Sequence, residues 1–251
     1  LVSARKFYDF SAQDWAKDAR GRFCYDADMD YASWAQKNKK QIAREFVRKI
    51  DHKSAEEPSG IFMAGLPGAG KTEFTVELIK SFDPEPLRID MDEIAQMIQG
   101  YRPEIADKFR GGASIIMSRI YDEIVKKKID FVFDGTFSSA GADANLSRAL
   151  SHGYGVKLYY IHQLPEIAWQ FTKDRELVEH RAIDKEGFIT TYFKLKENLE
   201  QLCKYHKDVT ISLIIKDSKN RVGMRKENVN ASLFEELPKF LTEDQLRAVI
   251  L

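Results

Sequence analysis

The sequence predicts an α/β fold: an open, mostly parallel sheet flanked by helices and preceded by an N-terminal helical arm. Three observations carry that expectation. From residue 60 onward, short apolar runs alternate with helical segments, the pattern of successive βαβ units. The first of those runs leads straight into Gly65-Leu-Pro-Gly-Ala-Gly-Lys-Thr72, a glycine-rich loop of the kind that joins a strand to a helix around an anion. Upstream, Asp51–Gly60 (DHKSAEEPSG) is a polar seam ending in Pro-Ser-Gly, which reads as a linker between an arm, residues 1–58, and a main domain, residues 59–251.

In the arm, Ser11-Ala-Gln-Asp14 looks like a helix start, and Asp30 is placed to cap a second helix running to about Ile50. Tyr31, Trp34, Ala35, Ile42, Phe46 and Ile50 fall broadly at helical spacing there. Lys37, Lys39, Lys40, Arg44 and Arg48 take the other faces. After the seam, strands are predicted at Ile61–Ala64, Leu87–Met91, Ile129–Phe133, Val156–Ile161 and Val209–Ile215. Helices are predicted at Lys71–Ser81, Asp92–Gln99, Ala113–Lys127 and Ala142–Ser151, the third carrying an Ile116, Ile120, Ile124 stripe. Two more, Pro165–Arg181 and Glu186–Tyr205, precede the last predicted strand as a lid-like insertion. The tail is read as helical at Glu235-Glu236 and Glu243–Ile250.

Composition narrows the function classes. The 251 residues hold 39 Lys+Arg against 39 Asp+Glu, a formal net charge of zero, which argues against a protein that coats nucleic acid or anionic membrane. Two cysteines, Cys24 and Cys203, are too few for a disulfide framework and lack metal-site spacing. No apolar run approaches the ~20 residues of a membrane span. A cytoplasmic protein without a membrane or nucleic-acid partner is the expectation.

The chemistry starts at the loop. Glycines at 65, 68 and 70 let successive backbone N–H groups surround an anion without Cβ clashes, and the following helix N-terminus favours negative charge. Gly65, Gly68, Ala69, Gly70, Lys71 and Thr72 are therefore candidate nucleotide-binding residues. Lys71 reaches the β- and γ-phosphates, and the Thr72 hydroxyl is the candidate ligand for Mg²⁺. A dinucleotide G-x-G-x-x-G fingerprint is absent, as is the Asn-Lys-x-Asp motif that reads guanine. Arg88-Ile-Asp-Met-Asp92 then falls at a strand end, where ligands of open α/β sheets bind. Asp92 is either a carboxylate that takes the proton of an attacking hydroxyl or, if the helix starts there, its N-cap. Asp90 is the weaker candidate, as a partner of metal-bound water or a structural group. Phe131-Val-Phe-Asp-Gly-Thr136 ends a further strand. An apolar run ending in Asp134 is Walker-B-like, but Gly135 stands where water-activating ATPases place Glu and lets a substrate approach the backbone. Asp134 is read as an acceptor-side acid, a holder of the Mg²⁺ water shell or a cap of the following turn. Arg175 and Arg181, on the helix after Gln163-Leu-Pro165, are candidates to neutralise the transferring phosphoryl group.

The order GLPGAGKT, IDMD, FVFDGT and then LPEI before an arginine-bearing helix resembles the zeta-toxin family, from Ile61 to roughly Asp217. The resemblance implies a P-loop kinase-like fold and transfer of phosphate from ATP or GTP, with Mg²⁺, to a hydroxyl of a small acceptor, UDP-N-acetylglucosamine above all. It implies that Lys71 and Thr72 serve the donor, that Asp92 is the catalytic acid of the I-D-x-D segment, and that Arg175 and Arg181 read phosphate. The family's strand-end Glu-Gly-Thr stands here as Asp134-Gly135-Thr136, one methylene shorter, and through that match Thr136 is a candidate substrate residue. A family acidic contact falls near Ser118 and is missing or moved. The resemblance also implies a helical antitoxin partner, or a cis-acting N-terminal arm in its place. The alternatives are a kinase of another nucleotide, small molecule or nucleic-acid end, and a nucleotide-switched binding module with slow ATPase activity.

Overall fold

The computed structural model describes residues 30–48, 54–179 and 183–250. Arg181 and the predicted helix start at Ser11 lie outside them. The chain divides into two compact units, Leu1–Asp51 with Ile89–Ile124, and His52–Arg88 with Val125–Leu251. One boundary, Asp51/His52, falls in the polar seam, and residues 89–124 group with the N-terminal segment.

The first unit is helical in its described part. Helix α1 (Tyr31–Arg48) starts where the sequence places it, with Asp30 Oδ1 accepting from the backbone of Ala32 and Ser33. It buries Ala35, Ile42, Ala43, Phe46 and Val47, and its lysines and Arg44 occupy other faces. Helix α3 (Met91–Ala95) is a short turn, and α4 (Ala106–Lys126) begins seven residues earlier than predicted. Gly111-Gly112 reads locally as a break, yet a Cβ at Gly112 would lie 2.8 Å from the Tyr31 carbonyl oxygen. The missing side chain is what lets the two helices approach there. Tyr31 then stacks 4.0 Å from Phe109, and Ile116, Ile120 and Ile124 are fully buried as the stripe predicts.

The second unit holds β1 (Ser59–Ala64), α2 (Lys71–Ile79), β3 (Phe131–Asp134), α5 (Ala142–Ser151), β4 (Gly155–His162), α6 (Pro165–Glu179) and α7 (Lys185–Tyr205). Strands β5 (Thr210–Lys216) and β6 (Val222–Lys226) and helices α8 (Leu233–Glu236) and α9 (Glu243–Val249) complete it. Strand β2 (Leu87–Asp90) starts in this unit. Among the described residues one six-stranded sheet forms in the order β2-β3-β1-β4-β5-β6. Strand β1 runs parallel to both β3 and β4, and β4 to β5, whereas β5 and β6 are antiparallel. Apolar runs such as Ile61-Phe62-Met63-Ala64 are buried throughout, as strands covered on both faces require. Strand β6 escapes prediction because Val222–Lys226 is a short edge strand whose only large apolar side chains, Val222 and Met224, are exposed, without a continuous apolar run to mark it.

Because β1, β3, β4 and β5 run the same way, their carboxyl ends share one edge of the sheet. That edge carries the glycine-rich loop, Gly135–Ser139, Gln163-Leu164 and Asp217–Arg221.

Candidate active site

The loop between β1 and α2 has the geometry its glycines foretell. Gly65, Gly68 and Gly70 all have positive φ, 147°, 77° and 77°. A Cβ on Gly68 would lie 2.0 Å from the Ala168 carbonyl oxygen and 2.7 Å from Thr172 Oγ1, both on α6. On the other flank, a Cβ on Gly70 would lie 2.7 Å from Asn220 Nδ2, in the turn between β5 and β6. The loop is thus clasped between α6 and that turn. Lys71 and Thr72 open α2 half-buried, and Lys71 Nζ donates to the carbonyls of Gly65 and Leu66 at 3.0 and 2.7 Å. The ammonium is held over the loop, where a polyphosphate would meet it. Asn220 itself has φ 60°, and its Oδ1 is buried without a hydrogen-bond partner.

Two further loops on this edge are joined to the first. Gly65 N donates to the Thr136 carbonyl at 3.2 Å, so the loop after β3 is bonded to the start of the glycine-rich loop. Thr136 Oγ1 and Ser138 Oγ lie 2.6 Å apart. Gln163, 2% exposed, donates from Nε2 to the Asp217 carbonyl at 2.8 Å and accepts from Leu164 N, tying the end of β4 to the β5–β6 turn.

Asp134 is engaged by Arg88, whose Nε and Nη2 donate to its Oδ2 at 3.0 and 2.6 Å, with both side chains under 5% exposed. The sequence offered a signal for Arg88 that the expectations above did not use. A lone guanidinium in an otherwise apolar strand must find a carboxylate. On α6, Trp169 packs edge-on to Phe188 at 5.2 Å, and Lys173 pairs with Glu176. Arg175 is exposed on that helix, seven residues after Ala168.

In the other unit, Asp90 rather than Asp92 caps α3. Its Oδ1 accepts from Asp92 N at 2.7 Å and Glu93 N at 3.2 Å, with its backbone extended (φ −125°, ψ 126°). This corrects the capping alternative for Asp92. The helix starts at Met91, one residue earlier than expected, so the side chain of Asp92 is not needed for the cap.

His162, at the end of β4, has a buried Nε2 without a hydrogen-bond partner, and burial pushes its pKa from 6.5 down to about 4. Between those values the unfolded chain binds the proton and the folded one does not. Stability therefore falls as pH drops from about 6.5 to about 4. Denaturant midpoints measured across that range should show the loss, and His162→Phe should flatten it. Glu227 titrates in a lower window. Burial acts to raise its pKa, but hydrogen bonds from Ser212, Lys157 and Arg225 outweigh it and hold the carboxyl at about 2. Its contribution is lost as pH falls from about 4.5 to about 2, mostly below the histidine range.

For Mg²⁺, the donor set is one protein hydroxyl, Thr72, at the mouth of the loop. Among the described residues no cluster of three or more His, Cys, Asp or Glu forms a metal cage. That fits an ion which keeps its waters and takes phosphate oxygens. No described helix is long and apolar enough to cross a membrane.

Comparison with known proteins adds to this geometry. The family profile described as Zeta toxin matches residues 12–230. Among solved structures, one from work on the PezAT chromosomal toxin–antitoxin system of the human pathogen Streptococcus pneumoniae superposes with a TM-score of 0.62 at 16% identity. The match covers 88% of this chain and 95% of that one. The native AvrRxo1-ORF1:-ORF2 complex matches with a TM-score of 0.52 at 14% identity, and the same complex with ATP at 13%, each covering 82% of this chain and 69% of the other. At such identities these likenesses establish the fold. No curated protein matches by sequence.

Proposed function

The chain belongs to the zeta-toxin family and is a P-loop phosphotransferase, and from that premise we propose that it moves the γ-phosphate of ATP to a hydroxyl of UDP-N-acetylglucosamine. The carrying observation is the Gly65–Thr72 loop bonded through Gly65 N to the carbonyl of Thr136, which ties a phosphate-binding loop to an Asp-Gly-Thr acceptor loop. ATP stands before GTP because a structure of similar fold, AvrRxo1-ORF1:-ORF2, is known with ATP and because no guanine-reading motif is present.

In this reading the backbone N–H groups of residues 65–72 and Lys71 bind and orient the triphosphate. The acceptor oxygen bonds to the γ-phosphorus as the β–γ bridging oxygen departs with ADP, and the hydroxyl proton passes to Asp92. Arg175 and Arg181 neutralise charge on the transferring group. Thr72 would hold Mg²⁺, which would supply neutralisation of phosphate charge. Asp134, fixed by Arg88, and Thr136 line the acceptor side. We assign this chemistry to residues 59–251, with residues 1–58 as a helical arm that either completes the domain surface or acts on the kinase in cis. A separate antitoxin is the alternative partner, as in the PezAT system.

The test is ADP release from Mg·ATP with and without UDP-N-acetylglucosamine, nucleosides and oligonucleotides, with products identified by mass. Turnover that needs the nucleotide sugar supports the proposal; phosphorylation of a different acceptor replaces it. Slow hydrolysis indifferent to every acceptor points instead to a nucleotide switch. Asp92→Asn should lower turnover by about 10²-fold with Mg·ATP affinity unchanged. Since Asp90 forms the cap, activity within threefold of wild type would remove Asp92 as the base.

A further inference from the structure

We propose that Asn198 is a positioning residue for acceptor phosphorylation: its carboxamide holds the Gly135–Ser139 loop in the strained shape that keeps Thr136 against the nucleotide loop. The inference rests on the kinase reading above and adds a residue to it.

It begins with a backbone outlier. Phe137 has φ 58°, a left-handed conformation that a bulky aromatic residue seldom adopts and that persists only where its surroundings enforce it. Several bonds enforce it here. Asn198 Nδ2 donates to the Phe137 carbonyl at 2.8 Å and to the Ser139 carbonyl at 3.1 Å, so one amide group spans both sides of Ser138. The Phe137 ring is buried and sits edge-on to Phe62 with centroids 6.4 Å apart. One residue earlier, the Thr136 carbonyl accepts from Gly65 N.

Asn198 lies well inside α7, a helix whose buried stripe runs through Phe188, Tyr192, Leu195, Leu199 and Leu202. Asparagine is a poor helix former, and its side chain here reaches carbonyls 59 and 61 residues away in sequence. Those carbonyls belong to the loop that follows Asp134 and contains Thr136. The strain at Phe137 and the bond to Gly65 thus meet in one loop, and Asn198 reaches it from a separate helix. Its loss should disturb the acceptor side while leaving Lys71, Thr72 and the loop glycines in place.

The experiment compares wild type with Asn198→Ala and Asn198→Asp, which keeps the shape but removes both donors. Amide exchange of residues 134–141 should quicken by about tenfold in both variants. Acceptor kcat/KM should fall ~10–100-fold, while Mg·ATP affinity, read by titration without acceptor, stays within about threefold. Asn198→Gln, with its donors on a longer stem, should recover part of the loss. A second variant isolates the strain. Glycine takes positive φ freely, so in a Phe137→Gly background Asn198→Ala should cost no more than about threefold. Unchanged exchange, or equal loss of donor affinity and turnover in step with thermal stability, would overturn the proposal. So would strictly additive effects in the cycle. If wild type phosphorylates no acceptor at all, the kinase reading fails, and the acceptor role fails with it. The exchange data would then still show separately whether Asn198 holds the loop.

Discussion

Lys71→Ala should abolish phosphotransfer while leaving a folded protein. Lys71 Nζ donates to two loop carbonyls, Gly65 and Leu66. Its removal returns those carbonyls to water, and each net hydrogen bond is worth only about 1 kcal/mol. For the reaction the loss is far larger. A fixed cation at the transferring phosphate contributes about 10²–10³-fold in rate, the scale seen when one preorganised donor is deleted. Lys71→Arg should recover little, since a planar fork cannot replace a compact ammonium over the loop. The check is ADP release together with a thermal melt. A melt near wild type with turnover reduced below a tenth is the expected pair; turnover above a tenth would remove residues 65–72 as the donor site.

The largest effect on stability is expected at Arg88. Truncating it leaves the Asp134 carboxylate buried without its guanidinium, and breaking such a pair destabilises by about 3–5 kcal/mol. Arg88→Met should therefore lower the urea midpoint markedly, and Arg88→Met with Asp134→Asn should lower it less, because no stranded charge remains. This ordering separates a paired charge from simple packing. If the double variant is as unstable as the sum of the single ones, the two side chains do not act as a unit.

How much of this was legible beforehand differs from residue to residue. Helix α5 spans the predicted Ala142–Ser151, and Asp30 caps α1 as its position predicts. The strand–loop–helix around Lys71 followed from local sequence alone. These features depend on neighbours within a few positions. Helix α4 was started late because Gly111-Gly112 looks like a break until the carbonyl of Tyr31 is set against it. Strand β6 goes unmarked because its alternation is only Val222 and Met224 before Arg225 and Lys226, too short to stand out at an exposed edge. In the site, the acids and the loop were visible, but the couplings among them were not. Arg88 was within reach of sequence reasoning, as a charge in a buried strand. Asn198, Gln163 and Asn220 were not. Their partners are backbone groups or loop glycines 54 to 150 residues away along the chain, and no spacing rule announces a side chain that reaches so far.

The two glycines clasped on either side of the loop have different evolutionary prospects. At Gly70 the obstructing atoms belong to the amide of Asn220, a side chain that substitution can shorten. Shortening position 220 clears that space but leaves the φ of 77°, so an alanine at position 70 is still strained by its backbone. At Gly68 the nearest obstruction is the carbonyl of Ala168, which every amino acid possesses. No replacement at position 168 clears that space, and only a shift of the whole helix α6 would. Position 68 should therefore stay glycine on two counts, backbone angle and a neighbour that cannot be trimmed, whereas at position 70 the backbone angle alone would remain.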